Sequence, residues 1–229
     1  MESLQVRPSR KKRILFAAQI TALIVGAVLV GWPAFVFVRS SVVQWFGARQ
    51  IDRAYESAKS VDRKNPPAVV SPPAVVVTKP GGRPPAKGSV LAKLEVPRLH
   101  MSLVVLEGSD LATLDKSIGH VASTAMPGEY GNIGIAGHRN THFKKMEWIR
   151  QGDEMILTSS VDRYRYLVES IRLVTPDDVE VLDDSLGPAI TIVTCFPFEY
   201  VGHAPQRFIV KAVPDEETRP RLARIISSR

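Results

Sequence analysis

The stretch TIVTCFPFEYVGHAPQRFIV, residues 191–210, decides how this chain is read. A short apolar run ends on Cys195, the only cysteine in 229 residues, and Arg207 opens a second apolar run 12 positions later (207 − 195). Apolar runs bounded by Gly and Pro have the pattern of buried strands. Pro197, Gly202 and Pro205 between them predict a loop. Two strands so joined bring a thiol beside a guanidinium. That pairing has chemical use: a reactive thiol needs its thiolate favoured, and the charge that develops on its substrate needs a positive group nearby. The base that completes such a set must come from elsewhere in the chain.

Five further apolar or alternating runs lead up to this stretch, VLAKLEV (90–96), MSLVVLE (101–107), NIGIAGH (132–138), EMILTSS (154–160) and YRYLVESIRLV (164–174), and its own two, AITIVTC (189–195) and RFIVKAV (207–213), close the series. Short strands separated by turn residues, with few helical stretches, predict a mainly β fold, a barrel or a sandwich. Leu111–Ile118 and Phe143–Ile149 are the candidate helical turns, and no internal repeat is apparent.

Upstream the composition changes. Residues 14–38, ILFAAQITALIVGAVLVGWPAFVFV, carry no charge. At ~1.5 Å per residue such a helix spans the ~30 Å hydrocarbon core. The run is longer than the ~7–15 residues of a signal-peptide core and lacks a small-residue cleavage site, which favours a retained anchor. Arg10, Lys11, Lys12 and Arg13 directly precede it, so the N-terminus is expected in the cytoplasm and everything after Val38 outside. The organisation expected is therefore a basic N-terminus (1–13), a transmembrane anchor (14–38), and a juxtamembrane segment (39–64), amphipathic and interrupted near Gly47. A Pro-rich spacer (65–88), a folded domain (89–213) and a charged C-terminal tail (214–229) left outside the barrel follow. The folded segment holds 12 Lys+Arg against 16 Asp+Glu, so the overall charge of +7 belongs to the flanks. A nucleic-acid binder would concentrate its positive charge on the folded unit, and no nucleic-acid partner is expected. A single cysteine excludes an intrachain disulfide framework.

Histidine is the side chain that titrates in the range a cysteine nucleophile needs. Of His100, His120, His138, His142 and His203, His138 closes an apolar strand, with Gly137 before it allowing close approach of backbone or ligand. His142 is its nearest rival. The pair lacks the Glu of HExxH and no third ligand is suggested, so no metal and no cofactor are expected. His100, His120 and His203 read as surface or loop residues. Asp177, Asp178, Asp183 and Asp184 crowd one segment that reads as a solvated acidic loop.

The blocks GNIGIAGHRN (131–140) and TIVTC…R (191–207) resemble the two signature blocks of the sortases, and TCFPFEYVGHAPQRFIV most resembles those of class D. Sortases are membrane-anchored cysteine transpeptidases with their catalytic residues in the order His, Cys, Arg. The resemblance implies an eight-stranded β-barrel, one strand of which lies within His120–Thr124 or Val179–Leu182, preceded by one transmembrane helix. It implies His138, Cys195 and Arg207 as catalytic residues, and Thr194, Phe196, Gly137 and Asn140 at the substrate. It also implies cleavage of a C-terminal LPxTG-like sorting signal on a secreted protein through a Cys thioester, and acyl transfer to an amine of a peptidoglycan precursor or a pilin lysine. The location implied is the cell membrane, single-pass, with the catalytic domain extracytoplasmic and lipid contacted through Ile14–Val38. In that light Phe196–Gln206 forms the wall of a substrate groove, with Phe196, Phe198 and Tyr200 contacting the peptide or packing the barrel rim. Two alternatives stand beside this reading. One is a peptidoglycan L,D-transpeptidase, whose Ser-x-Gly-Cys-type block is missing here; the other is a non-enzymatic envelope-binding β-domain in which Cys195 is a buried strand cysteine.

Overall fold

The computed structural model describes residues 10–64, 85–183, 187–200, 202–220 and 222. Two units are distinguished, one ending at Val42 and one running from Val43 to the C-terminus. In the first, the helix α1 (Arg10–Lys64) begins. Among the described residues no helix is long and apolar enough to cross a membrane. The side chains described in the expected anchor are those of residues 19–32. Leu23, Leu29, Val30 and Trp32 among them are exposed.

The second unit is a closed barrel of eight strands: β1 (Val90–Val96), β2 (Met101–Glu107), β3 (Ile118–His120), β4 (Asn132–Ala136), β5 (Glu154–Ser159), β6 (Arg163–Val174), β7 (Ala189–Phe196) and β8 (Gln206–Pro214). Around the barrel the order is β1-β2-β3-β4-β7-β8-β6-β5. Only β2–β3 and β4–β7 pair in parallel. The run at 164–174 alternates as a half-buried strand should: Tyr164, Tyr166 and Val168 point inward, Arg163, Arg165 and Leu167 outward. The eighth strand, β3, meets the first expected place, His120–Thr124, only at His120 and otherwise lies before it, and Val179–Leu182 is a short 3-10 helix. At three residues β3 is too short to leave a periodic trace, and its Ile118 had read as the end of a helix. That helix, α2 (Leu111–Leu114), stops four residues earlier, its N-cap Asp110 accepting from the Ala112 N–H.

The juxtamembrane segment is not interrupted at Gly47. From Val43 onward α1 packs on β1 and β2 with a buried or half-buried face at Gln44, Gly47, Ala48, Ile51, Ala54 and Tyr55, the i, i+3, i+4 spacing of a helix stripe. Trp45 and Phe46 face outward. Gly47 is where Val104 fits: a Cβ there would stand 2.9 Å and 3.0 Å from its two methyls. Gln44 reads the barrel edge with both ends of its amide, donating to Ser117 Oγ at 2.6 Å and accepting from the Val104 N–H at 2.9 Å. Asp52 pairs with Lys93 on β1. The segment after β8 also departs from expectation: Thr218 Oγ1 accepts from the Arg165 N–H at 3.0 Å, and Leu222 is fully buried in the core. Charge at the end of the chain masked these two apolar-facing positions.

Candidate active site

The parallel β4–β7 pair sets the geometry. Its register couples Asn132 with Ala189 and Ala136 with Val193, an offset of 57 at each step (193 − 136). Cys195 stands 57 residues after His138 (195 − 138), so continuing the register past the last ladder pair brings both to the same end of the barrel. Two hydrogen bonds extend the pairing: Gly137 N–H donates to Val193 O at 3.2 Å, and Thr194 Oγ1 donates to Gly137 O at 2.7 Å. The neighbouring antiparallel pair then aligns Cys195 directly with Arg207. Parallel pairing supplies the histidine and antiparallel pairing the arginine, both around one thiol.

These three residues line a cleft of about 300 Å³ together with Arg139, Asn140, Gly202, His203 and Ala204. Cys195 and Arg207 are half-buried, neither sealed in the core nor free in solvent. Arg207 donates through Nη1 to the carbonyls of Ala204 and Gln206, at 3.3 Å and 3.2 Å, which orients its guanidinium at the mouth of the loop. His138 has a partner that sequence reading missed: Asp115, at the end of α2, places Oδ1 3.4 Å from His138 Nε2. Nothing in the local sequence marks Asp115, because the barrel closure through β3 is what carries α2 to the histidine. His142 lies against the same group. Its pKa is held below the ordinary imidazole value, first by burial and second by the proximity of His138, against the opposing pull of the Leu114 and Asp115 backbone and the Asp115 charge.

The other expected residues divide. Asn140 lines the cleft. Thr194 is 2% exposed with its hydroxyl committed to Gly137, so it fastens the His138 strand end to the Cys195 strand from behind the cleft. Gly137 is needed for close approach, but the group that approaches is Phe143, whose ring carbons would stand 2.6 Å from an added Cβ. Phe196 stacks on Phe208 at 6.2 Å and meets Phe198 edge-on at 6.1 Å, and Phe198 belongs to the core. The aromatic residues of the loop thus pack the barrel end, apart from Tyr200, which is exposed.

His203 is exposed in the loop, as read. His120 is not a surface residue: it is 1% exposed on β3, with Nδ1 2.9 Å from a Glu107 carboxylate oxygen and Nε2 3.0 Å from Ala125 O. A buried histidine flanked by two acceptors is a satisfied structural group, held where β2 and β3 pair in parallel. Among the described residues no group of three or more His, Cys, Asp or Glu is arranged to hold a metal ion. In the acidic loop, the Asp178 carboxylate accepts from the N–H and hydroxyl of Thr175.

Residues 94–215, more than half of the chain, match the family model described as Sortase domain. The chain belongs to the sortase family. It is 32% identical over 127 residues to sortase D of Bacillus subtilis, covering 55% of this chain and 64% of that protein. It is 36% identical over 137 residues to sortase SrtE1 of Streptomyces coelicolor, covering 52% of this chain and 38% of that protein. The match thus spans less than two thirds of either relative. Among solved structures, the Clostridium perfringens sortase D5 transpeptidase superposes with a TM-score of 0.52 at 36% identity, covering 57% of this chain and 81% of that one. Sortase E1 of S. coelicolor, with a tripeptide in its active site, gives 0.51 at 32%, covering 56% and 90%. The class D resemblance of the Cys195 block is supported, with class E sortases at comparable identity.

Proposed function

We propose that this sortase is a membrane-anchored cysteine transpeptidase that cleaves a C-terminal LPxTG-like sorting signal on a secreted protein and transfers the acyl group to an amine. The observation that carries the reading is the cross-strand pairing of Cys195 with Arg207 at the mouth of a cleft that His138 also lines. The Cys195 thiolate attacks the carbonyl carbon of the scissile peptide bond, forming the C–S bond and a tetrahedral oxyanion. Arg207, pinned through Nη1, directs its remaining N–H groups at that oxyanion. As the C–N bond breaks, the His138 imidazolium gives its proton to the leaving amine, and Asp115 stabilises the charged ring. An acyl thioester remains on Cys195. An incoming amine, from a peptidoglycan precursor or a pilin lysine, attacks it, passes a proton to His138 and releases the thiolate. Asn140 contributes to the substrate wall, and Thr194, Gly137 and Phe196 support it from behind.

The tripeptide in the active site of the S. coelicolor relative supports a peptide-binding role for the same cleft. The uncharged run Ile14–Val38, preceded by Arg10–Arg13, supports a single-pass anchor with the N-terminus cytoplasmic and the barrel outside. The experiment is to incubate the full chain with peptides carrying LPxTG-like signals and to follow intact mass. An adduct on Cys195 that hydroxylamine releases, and that is absent in Cys195→Ala, is expected. Normal turnover in Cys195→Ala refutes the reading.

A further inference from the structure

The loop between β7 and β8 is held by two arginines, and the catalytic reading uses only one. Arg207 takes the carbonyls of Ala204 and Gln206; Arg139, the residue after His138, takes those of Tyr200 and Gly202 with its Nη2, at 2.7 Å and 3.1 Å. Four carbonyls at every second position of the loop therefore turn toward guanidinium groups. The Tyr200 ring adds a face 5.9 Å from the Arg139 guanidinium carbon. Arg139 is only half spent by this. Its Nη1 is buried and has no hydrogen-bond partner. A buried charged donor without an acceptor costs about 1–3 kcal/mol or more, a cost that an arriving acceptor removes.

The surroundings say which acceptor suits it. The described residues lining the cleft include two arginines and two histidines and no carboxylate. Asp115 faces His138 from α2, but is not part of that lining. A planar guanidinium pairs best with a planar anion. We propose that Arg139 is a substrate-binding residue: Nη2 fixes the β7–β8 loop while Nη1 receives a peptide carboxylate. The enzyme then prefers signals with an Asp or Glu within two or three residues of the scissile bond, outside the Thr and Gly that flank it. This rests on the transpeptidase reading above.

The test uses the full chain and pairs of otherwise identical LPxTG-like signal peptides carrying Asp or Asn at positions within two or three residues of the scissile bond, the flanking Thr and Gly kept, with kcat/KM read for each. The wild type is expected to favour Asp by about tenfold or more at one of those positions, the size of a charge-assisted hydrogen bond. Arg139→Gln is expected to abolish the preference chiefly through KM, and Arg139→Lys to keep part of it. A melting curve confirms that each variant is folded; should Arg139→Gln not fold, Arg139→Lys and the wild-type ratio decide. Equal rates for Asp and Asn peptides in a wild type that acylates Cys195, or a preference unchanged in either Arg139 variant, overturns the proposal. Failure of every peptide to acylate wild-type Cys195 instead refutes the transpeptidase reading, and this proposal with it.

Discussion

Replacing Ile51 by alanine tests whether the helix leading to the barrel is part of the folded unit. Ile51 is 3% exposed on the α1 face that also carries Gln44 and Gly47. Removing its buried methyl groups is expected to cost about 2–4 kcal/mol, the transfer loss plus the cavity left under a helix that collapses only partly. The loss is capped by the free energy of docking, since the whole helix can lift away. Gln44 adds two hydrogen bonds of about 1 kcal/mol each to that cap. The Asp52–Lys93 pair, half exposed on the Asp side, adds less than about 1 kcal/mol. For a unit of this size a destabilisation of 1 kcal/mol lowers Tm by roughly 2–4 °C, so Ile51→Ala is expected to melt about 4–16 °C below wild type. The acylation rate is expected to fall with it: Gln44 bonds Ser117, two residues beyond Asp115, and Asp115 faces His138. Calorimetry on the full chain, with thioester formation measured in parallel, reads both. A Tm within about 1 °C of wild type refutes the docking argument. So does a fragment beginning at Ser89 that melts and turns over like the full chain.

The remaining predictions concern the site and the core. Arg207→Lys is expected to lose at least about tenfold in kcat/KM, because an ammonium cannot hold the Ala204 and Gln206 carbonyls and present an oriented fork to the substrate; near-normal turnover removes Arg207 from the chemistry. His138→Ala is expected to abolish acyl transfer while His142→Ala keeps a substantial part, and the reverse ranking in steady-state assays assigns the acid to His142. Because burial and His138 hold the His142 pKa below its unfolded value, the unfolded chain binds the extra proton. Its contribution to stability is therefore whole above about pH 6.5 and is lost as pH falls through the lower folded value. His142→Gln is expected to flatten that acid limb in melting curves taken between about pH 8 and about pH 5. The Tyr166 hydroxyl is buried without a partner, and burial, with Tyr164 second, pushes its pKa up. Tyr166→Phe is expected to raise Tm by roughly 2–4 °C, and a fall of that size means the hydroxyl is paired.

By itself the sequence determined what repeats or what is chemically rare. Seven of the eight strands were legible because apolar residues alternate or run between Gly and Pro, and that pattern is a local property of the chain. The single cysteine, the arginine opening β8 and the histidine closing β4 were legible because such side chains at strand ends are uncommon. What remained hidden depends on distance in space. β3 is a strand because β2 and β4 flank it, not because three residues favour it. Asp115 reaches His138 only because β3 carries α2 to that end of the barrel, and His120 is buried only because Glu107 and Ala125 close around it. The stripe of α1 that packs on the barrel includes a Gln and a Gly, which no hydrophobic period singles out; the fit of Gly47 against Val104 decides it. Residue types and short-range periods are written along the chain, whereas the register offset of 57 that joins His138 to Cys195 acquires meaning only when two parallel strands share one hydrogen-bond ladder.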